Sequence, residues 1–68
     1  MKLIARIDVS KRLTGKIYHD KENDEYIVGL YVNKILDDVS TYFTDDRLDA
    51  IRTLYAMLAL GKQLPYEG

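Results

Sequence analysis

One short segment of this chain connects a strand to a helix, and it fixes the order of the elements on either side. The segment reads FTDDRL from position 43. Thr44 is a good helix cap, because its hydroxyl can accept a backbone N–H of the first turn. Asp45 and Asp46 then place negative charge at the positive end of the helix dipole, and Phe43 and Leu48 are spaced for a hydrophobic staple. We therefore expect strands before this segment and one amphipathic helix after it.

Alternating apolar residues before this segment predict strands. Leu3, Ala5, Ile7 and Val9 recur with the period of two that is typical of a half-buried strand. Three further stretches are rich in strand-forming residues. The four predicted strands are Leu3–Val9, Lys16–Asp20, Glu25–Val32 and Val39–Phe43.

The segments between these strands contain turn-forming residues. Ser10–Gly15 is predicted as a loop, with Gly15 supplying a permissive backbone, and 21–24 as a polar turn. Asn33 tolerates a left-handed turn, so Asn33 and Lys34 are predicted to form a two-residue hairpin loop.

The helix is predicted to run from Asp45 to Leu60, with Gly61 just past its end and residues 62–68 as a short tail. A helical wheel gives it one apolar core stripe. The members of the stripe are Leu48, Ile51, Leu54, Tyr55 and Leu58. Three apolar residues fall off the stripe, namely Ala56, Met57 and Leu60.

These elements predict an α+β fold, an antiparallel three- to four-stranded sheet followed by one C-terminal amphipathic helix packed on one face, in the order β-β-β-(β)-α. Tyr26, Val28, Leu30 and Val32 are expected to point at the helix. Ile27 and Tyr31 then point away, beside residues such as Ile17 or Tyr18. A half-apolar face of this kind often marks a binding site.

The length of the chain favours self-association. Its 68 residues make a single domain, 1–68, and a chain this short buries only about 60% of its unfolded surface. Small domains are usually reinforced by disulfides, a metal or a second copy. The chain has no cysteine and one histidine, which leaves the second copy. We therefore expect a homodimer that uses Ala56, Met57 and Leu60.

The sequence contains no signal for a membrane or for secretion. No apolar run approaches the roughly 18 residues that a membrane-spanning helix needs. The N-terminal strand meets charge at once, unlike a signal peptide. We expect a cytoplasmic protein without membrane contact.

The residues do not indicate an enzyme. His19 is the one candidate general base, and no nucleophile lies at an interpretable spacing from it. Adjacent carboxylates on a strand point to opposite faces, so Asp37 and Asp38 do not converge. The four glycines are isolated and form no phosphate-binding loop. We expect no catalytic residue, metal, cofactor or small-molecule substrate.

Tyrosine and the acidic middle of the chain favour a protein partner. The chain has six tyrosines and no tryptophan, and tyrosine is enriched at interface hot spots. Tyr18 and Tyr31 are the tyrosines expected on the uncovered sheet face, while Tyr26 and Tyr55 fit a structural role. Five carboxylates are expected to rim that face, namely Glu22, Asp24, Glu25, Asp37 and Asp38.

An alternative is a nucleic-acid-binding accessory protein. Lys11, Arg12 and Lys16 lie close together and could contact phosphate. A net charge of −1 disfavours this function, since nucleic-acid binders usually carry a larger basic surplus. The acidic middle also allows the opposite role, in which the surface imitates nucleic acid.

Residues 25–60 resemble small strand-strand-strand-helix modules. The resemblance rests on the run EYIVGLYV from position 25, on TYFTDD from position 41 and on Ala50 and Ala56 in the helix. It is similar to the N-terminal domain of HicB-type antitoxins and to the arm-binding domain of phage integrases, although the Pro-Gly-Cys turn of the first and the basic sheet of the second are missing. The chain also resembles short phage proteins that inhibit host proteins, which implies an inhibitor of a host defence or nucleic-acid-handling complex.

Overall fold

The computed structural model describes residues 1–63 and confirms the predicted α+β fold. An antiparallel sheet precedes one C-terminal helix, which packs on one sheet face. The strands are β1 (Lys2–Asp8), β2 (Leu13–Asp20), β3 (Glu25–Val32), β4 (Ile35–Leu36) and β5 (Tyr42–Thr44), and the helix α1 is Arg47–Gln63.

The sheet has the order β1-β2-β3, and both β4 and β5 pair with β3. Because β2 occupies one side of β3 along its whole length, β4 and β5 share the other side as one interrupted edge strand. On the opposite edge, β1 carries a register shift between Leu3 and Ala5. Both outer edges of the sheet are therefore irregular.

The interruption of the edge strand is a short 3-10 helix, Asp38–Ser40. The carboxylate of Asp37 accepts a hydrogen bond from the Ser40 hydroxyl at 2.8 Å, and its carbonyl accepts from the Ser40 N–H at 3.1 Å. These bonds loop the chain out between the two strands. The predicted strand Val39–Phe43 is therefore wrong over its first half, and strand pairing resumes only at Tyr42.

The predicted hairpin loop between β3 and β4 is confirmed. Asn33 and Lys34 both have left-handed backbones, with φ of 55° and 70°. Two consecutive positive φ values are the signature of the two-residue turn that matches strand twist. This turn returns the chain so that Val32 pairs with Ile35.

Strand β2 begins three residues earlier than the sequence predicts. The loop before it closes with a hydrogen bond from the Val9 N–H to the Leu13 carbonyl at 2.9 Å, and Ser10 Oγ accepts from the Leu13 N–H. Gly15, expected in that loop, lies instead in the strand beneath α1. A Cβ at Gly15 would clash with Leu54 Cδ1 and would be 3.1 Å from Leu58 Cδ2. The glycine is needed for this close approach and not for a turn.

The core lies between α1 and strands β2 and β3. Its buried residues are Leu13, Ile17, Val28, Leu30, Ala50, Leu54 and Leu58. The helix meets the sheet along Ala50, Leu54 and Leu58, spaced four residues apart, with Ile51 and Met57 packed beside them.

The buried face of α1 is rotated relative to the predicted stripe. Leu48 and Tyr55, predicted to be core residues, are 54% and 61% exposed. Ala50 takes their place because a small side chain lets the helix lie close to the sheet. Met57, expected in a self-association surface, packs against the core.

The helix also begins later than predicted. Asp46 caps it, because its Oδ1 accepts from the Leu48 N–H at 2.9 Å and its carbonyl accepts from the Ala50 N–H at 3.0 Å. The Thr44 hydroxyl instead accepts from the Asp46 N–H at 3.2 Å and supports the turn before the cap. The expected staple does not form: Phe43 pairs with Ile27 on the far face of the sheet.

The helix continues past its predicted end. Gly61 was expected just beyond the last turn, but α1 extends to Gln63. Of the predicted tail, Lys62 and Gln63 belong to the helix, and residues 64–68 lie outside the described part. Over residues 1–63, no helix combines the length and apolar character needed to cross a membrane.

We predict that Gly15→Ala destabilises the fold by about 1–3 kcal/mol, the usual cost of overpacking a core. The added Cβ would meet Leu54 and Leu58, which the core holds in place. Gly29→Ala is the matched control, because its Cβ would meet Leu36 and Tyr31 on the outer face, where side chains can move. Urea denaturation measures both free energies of unfolding, and equal losses would contradict the close approach at Gly15.

We predict that Asp46→Ala costs about 1 kcal/mol, the usual value of a helix cap. Asp46→Asn should retain most of the stability, since asparagine caps equally well. Asp45→Ala removes a neighbouring charge and leaves the cap in place, so it should change the melting temperature little. A larger loss of stability from Thr44→Ala than from Asp46→Ala would show that Thr44 caps the helix, as the sequence predicts.

Candidate interaction surface

The sheet has a second face, which we call the open face. Side chains alternate along a strand, so Thr14, Lys16 and Tyr18 point away from the buried Leu13 and Ile17. Ile17, expected on the open face, therefore lies on the helix side. By cross-strand register the open face comprises Leu3, Arg6, Asp8, Thr14, Lys16, Tyr18, Asp20, Glu25, Ile27, Gly29, Tyr31, Leu36 and Phe43.

The Tyr31 ring lies over Gly29 on the open face, because Gly29 has no side chain. A Cβ at Gly29 would be 3.3 Å from Tyr31 Cε1 and 2.9 Å from Leu36 Cδ1. The Nζ of Lys16, which pairs with Gly29, lies 4.4 Å from the centroid of the Tyr31 ring. This cation–π contact holds the ammonium group beside an aromatic surface.

The two tyrosines predicted to bind a partner lie together. Burial raises the pKa of Tyr31, and the charge and hydrogen bonding of the Tyr18 phenol raise it further. The raised pKa keeps the Tyr31 hydroxyl protonated at neutral pH. The two tyrosines offer phenol hydroxyls and apolar ring surface together, as interface tyrosines do.

Apolar side chains extend from this pair across the open face. Leu3 is 44% exposed and Phe43 is 55% exposed, while Ile27 is half-buried between them in the sheet. Leu36 adds to the same surface beside Tyr31. Among residues 1–63, no segment covers these side chains, since the one helix packs on the other face.

Four cations gather at one end of the open face, which we call the basic end. Arg6, Lys16 and Lys34 line a shallow cleft with Thr14 and Tyr31. Lys11 lines the adjoining depression.

One carboxylate lies among these cations. Asp8 Oδ1 accepts from Thr14 Oγ1 at 2.8 Å and from Arg6 Nε at 3.2 Å. The Thr14 hydrogen bond, followed by the Arg6 hydrogen bond and charge, lowers the pKa of Asp8.

Carboxylates dominate the other end, which we call the acidic end. Asp20 and Glu25 pair across β2 and β3, and Glu22 and Asp24 lie in the turn that joins these strands. The Asp20 carboxylate accepts from the Asn23 side-chain amide at 2.8 Å, the main cause of its lowered pKa. The Met1 amine acts in the same direction, and Lys21 is the one side-chain cation of this turn.

The predicted site residues therefore divide into groups. Tyr18, Tyr31 and Glu25 lie on the open face. Glu22 and Asp24 lie in the turn at its acidic end, where Asp24 contacts His19 on the helix side of β2. Asp37 and exposed Asp38 lie along the β4 edge, where the Asp37 carboxylate supports the 3-10 helix.

The predicted basic set is divided as well. Lys11 and Lys16 join the basic end. Arg12 is exposed in the β1–β2 loop, where its carbonyl accepts from the Asn33 N–H at 2.7 Å.

The predicted self-association set is not assembled as expected. Ala56 is exposed on α1, Met57 faces the core, and the side chain of Leu60 lies outside the described part.

Sequence reasoning missed Arg6, Lys34, Leu36 and Phe43 as members of this surface. Arg6 and Phe43 carried a usable signal, because side-chain parity within a strand assigns each to a face once one neighbour is placed. Lys34 and Leu36 carried none, because their positions depend on the hairpin register.

His19 contacts Tyr26 and Asp24. Its ring stacks on Tyr26 with centroids 4.7 Å apart, and its Nε2 lies 3.4 Å from Asp24 Oδ1. In the described part of the chain, no three His, Cys, Asp or Glu residues are grouped to hold a metal ion.

Comparison with protein families, with curated protein sequences and with solved structures finds no match to this chain. The arguments about function therefore rest on the open face itself.

We predict that Tyr18→Phe lowers the pKa of Tyr31 towards its ordinary value, because it removes the neighbouring phenol. Because folding raises the pKa of Tyr31, the protonated phenol contributes stability to the folded state below the ordinary tyrosine pKa. This contribution is lost as the pH rises through the pKa of the folded state. NMR titration of the tyrosine ring carbons measures the shift. Tyr55→Phe, on the exposed side of α1, is the control, and an equal effect from both variants would contradict the pairing.

Proposed function

We propose that this chain is a small non-enzymatic protein-interaction module whose binding surface is the open face. The observation that carries this proposal is the exposure of Leu3, Leu36 and Phe43 beside two tyrosines, on a sheet face that no element within residues 1–63 covers. Exposed apolar patches rimmed by polar residues mark interaction sites in folded proteins. Tyrosines at the centre of such a patch are the residues that most often dominate binding energy.

The charge on the open face favours a protein over a nucleic acid. A nucleic acid presents negative charge along its whole length, and the acidic end would repel the part of the strand that extends past the basic end. A protein can place acidic groups against one end and basic groups against the other. Complementary charges of this kind mainly accelerate association and exclude wrong partners.

The biological role that we propose is inhibition. The size of the chain and its resemblance to short phage proteins support a cytoplasmic inhibitor of a host defence or nucleic-acid-handling complex. A module without catalytic groups can inhibit only by occupying a surface that its target needs. The open face is the part of the described chain best suited to do this.

A nucleic-acid-binding accessory or antitoxin-like module is the second candidate. It is favoured by the basic end, where Arg6, Lys16 and Lys34 line a cleft with Tyr31 and Lys11 lines the adjoining depression. This basic group is larger than Lys11, Arg12 and Lys16 alone. Cations beside an aromatic ring are a usual arrangement for single strands, whose bases stack on such rings.

The two candidates are separated by affinity capture from host-cell lysate, with and without nuclease. We expect a protein that the wild-type chain retains after nuclease treatment and that Phe43→Ala fails to retain. Arg52→Ala, exposed on α1, is the control and should retain it. Retention that nuclease abolishes would support the nucleic-acid function instead, and retention unchanged by Phe43→Ala would exclude the open face.

We further predict different kinetic effects from Tyr31 on the open face and from the exposed carboxylate Asp38 beside it. Tyr31→Ala should raise the off-rate of the captured partner, because buried aromatic contacts hold a complex together. Charge reversal at the exposed Asp38 should slow the on-rate and flatten its salt dependence, because rim charges act by steering. Surface plasmon resonance measures both rates. A folded Tyr31→Ala variant that binds like wild type would contradict the site.

A further inference from the structure

The charges of the open face are arranged so that the face is complementary to itself. The basic end sets four cations against Asp8, and the acidic end sets Asp20, Glu22 and Glu25 against Lys21 and the Met1 amine, while Asp24 lies beside His19. The ends lie at opposite ends of β2 and β3, since Thr14 pairs with Tyr31 and Asp20 with Glu25. Thr14 and Asp20 are six positions apart along the strand, about 20 Å at the usual rise.

A two-fold axis that lies between two such faces and runs across their strands brings opposite charges together. It places the basic end of each copy against the acidic end of the other, with strands antiparallel between the sheets. Tyr31 of one copy then lies at the height of Glu25 of the second copy, and Lys16 at the height of Tyr18. Symmetric interfaces require this kind of self-complementarity, in which each patch fits its own copy.

The apolar residues lie where such a pair needs them. Tyr18 and Ile27 pair near the middle of the face, and Leu3 and Phe43 flank them on the neighbouring strands. The two-fold axis passes between this row and the neighbouring row of Lys16 and Gly29. The apolar rows of the two copies therefore lie side by side across the axis, each against Lys16 and Gly29 of the second copy. The carboxylates of the acidic end lie farther from the axis, at the rim of the contact.

The area of the face is sufficient for a small specific interface. Two eight-residue strands, flanked by β1 and by the interrupted β4–β5 edge, give a face of at most about 26 by 19 Å, or about 500 Å². Two such faces together remove about 1,000 Å² from water, which is the lower limit for a specific interface. We therefore expect a weak dimer, although area alone does not fix its affinity.

We propose that a second copy of this chain covers the open face in a two-fold dimer, with the basic end of each copy against the acidic end of the other. This assignment rests on the proposed function, because it names an occupant for the same binding face. It moves self-association from the helix, where the sequence predicts it, to the sheet. Any other protein partner of the open face competes with the second copy.

Two charge-reversed variants and their mixture test the proposal. Lys16→Glu with Lys34→Glu makes both ends acidic, and Glu22→Lys with Glu25→Lys makes both ends basic. Each variant alone should dimerise at least about tenfold more weakly than wild type in sedimentation velocity at low salt, because like charges then meet. An equimolar mixture should restore a heterodimer, since each contact again joins opposite charges.

Control variants test whether each protein is folded and whether the helix takes part in the dimer. Circular dichroism confirms that each variant is folded, and Phe43→Ala, which removes an exposed apolar group without reversing charge, should also weaken the dimer. Ala56→Glu, on the exposed side of α1, should leave the dimer unchanged. Loss of the dimer in Ala56→Glu, no rescue on mixing, or a wild-type monomer at about 500 μM would each overturn the proposal.

The dimer and the proposed function can fail separately. A monomer that still captures a nuclease-resistant protein through Phe43 overturns the dimer and leaves the interaction module standing. A dimer with the expected rescue that captures no other protein supports the two-fold interface and removes the foreign partner.

Discussion

The contact between α1 and β2 at Gly15 determines how the rest of the chain is arranged. Because Gly15 has no side chain, Leu54 and Leu58 fill the space above the strand and the helix lies close to the sheet. Ala50 continues this line with another small group. The approach concentrates the buried apolar residues on one side of β2 and β3. Because side chains alternate along a strand, the residues between them point to the other side. Those residues form the open face and determine its chemistry.

Local sequence patterns predicted the elements that local interactions stabilise. Strand β3 and the Asn33–Lys34 turn have the predicted positions, because alternation and a tolerant turn residue act within a few neighbours. The predicted start of β2 and the predicted core stripe of α1 were wrong for a common reason. Each depends on how closely the helix and the sheet approach, and glycine or alanine at a contact gives no apolar signal in the sequence. The predicted cap at Thr44 was wrong because Asp46, two residues later, is an equally good capping residue and accepts the first-turn N–H.

The candidate surface was predictable only in part. Strand parity placed Tyr31 away from the helix, but it left either Ile17 or Tyr18 beside it, and the register of β2 and β3 selects Tyr18. The basic end could not be predicted, because Arg6, Lys16 and Lys34 come from three separate segments that meet only when the register of β1, β2 and the β3–β4 hairpin is known. The three-residue excursion at Asp38–Ser40 also depends on where β5 resumes pairing with β3.

The irregular edges of the sheet restrict how this protein can associate. A regular edge strand offers backbone groups to any other strand and allows growth into fibrils. Here the bulge in β1 breaks one edge and the Asp38–Ser40 excursion breaks the other, so neither edge is an even template for strand addition. Association through the open face differs from strand addition, because a covered face cannot bind a further molecule. The fold therefore favours closed complexes of fixed size over open-ended growth.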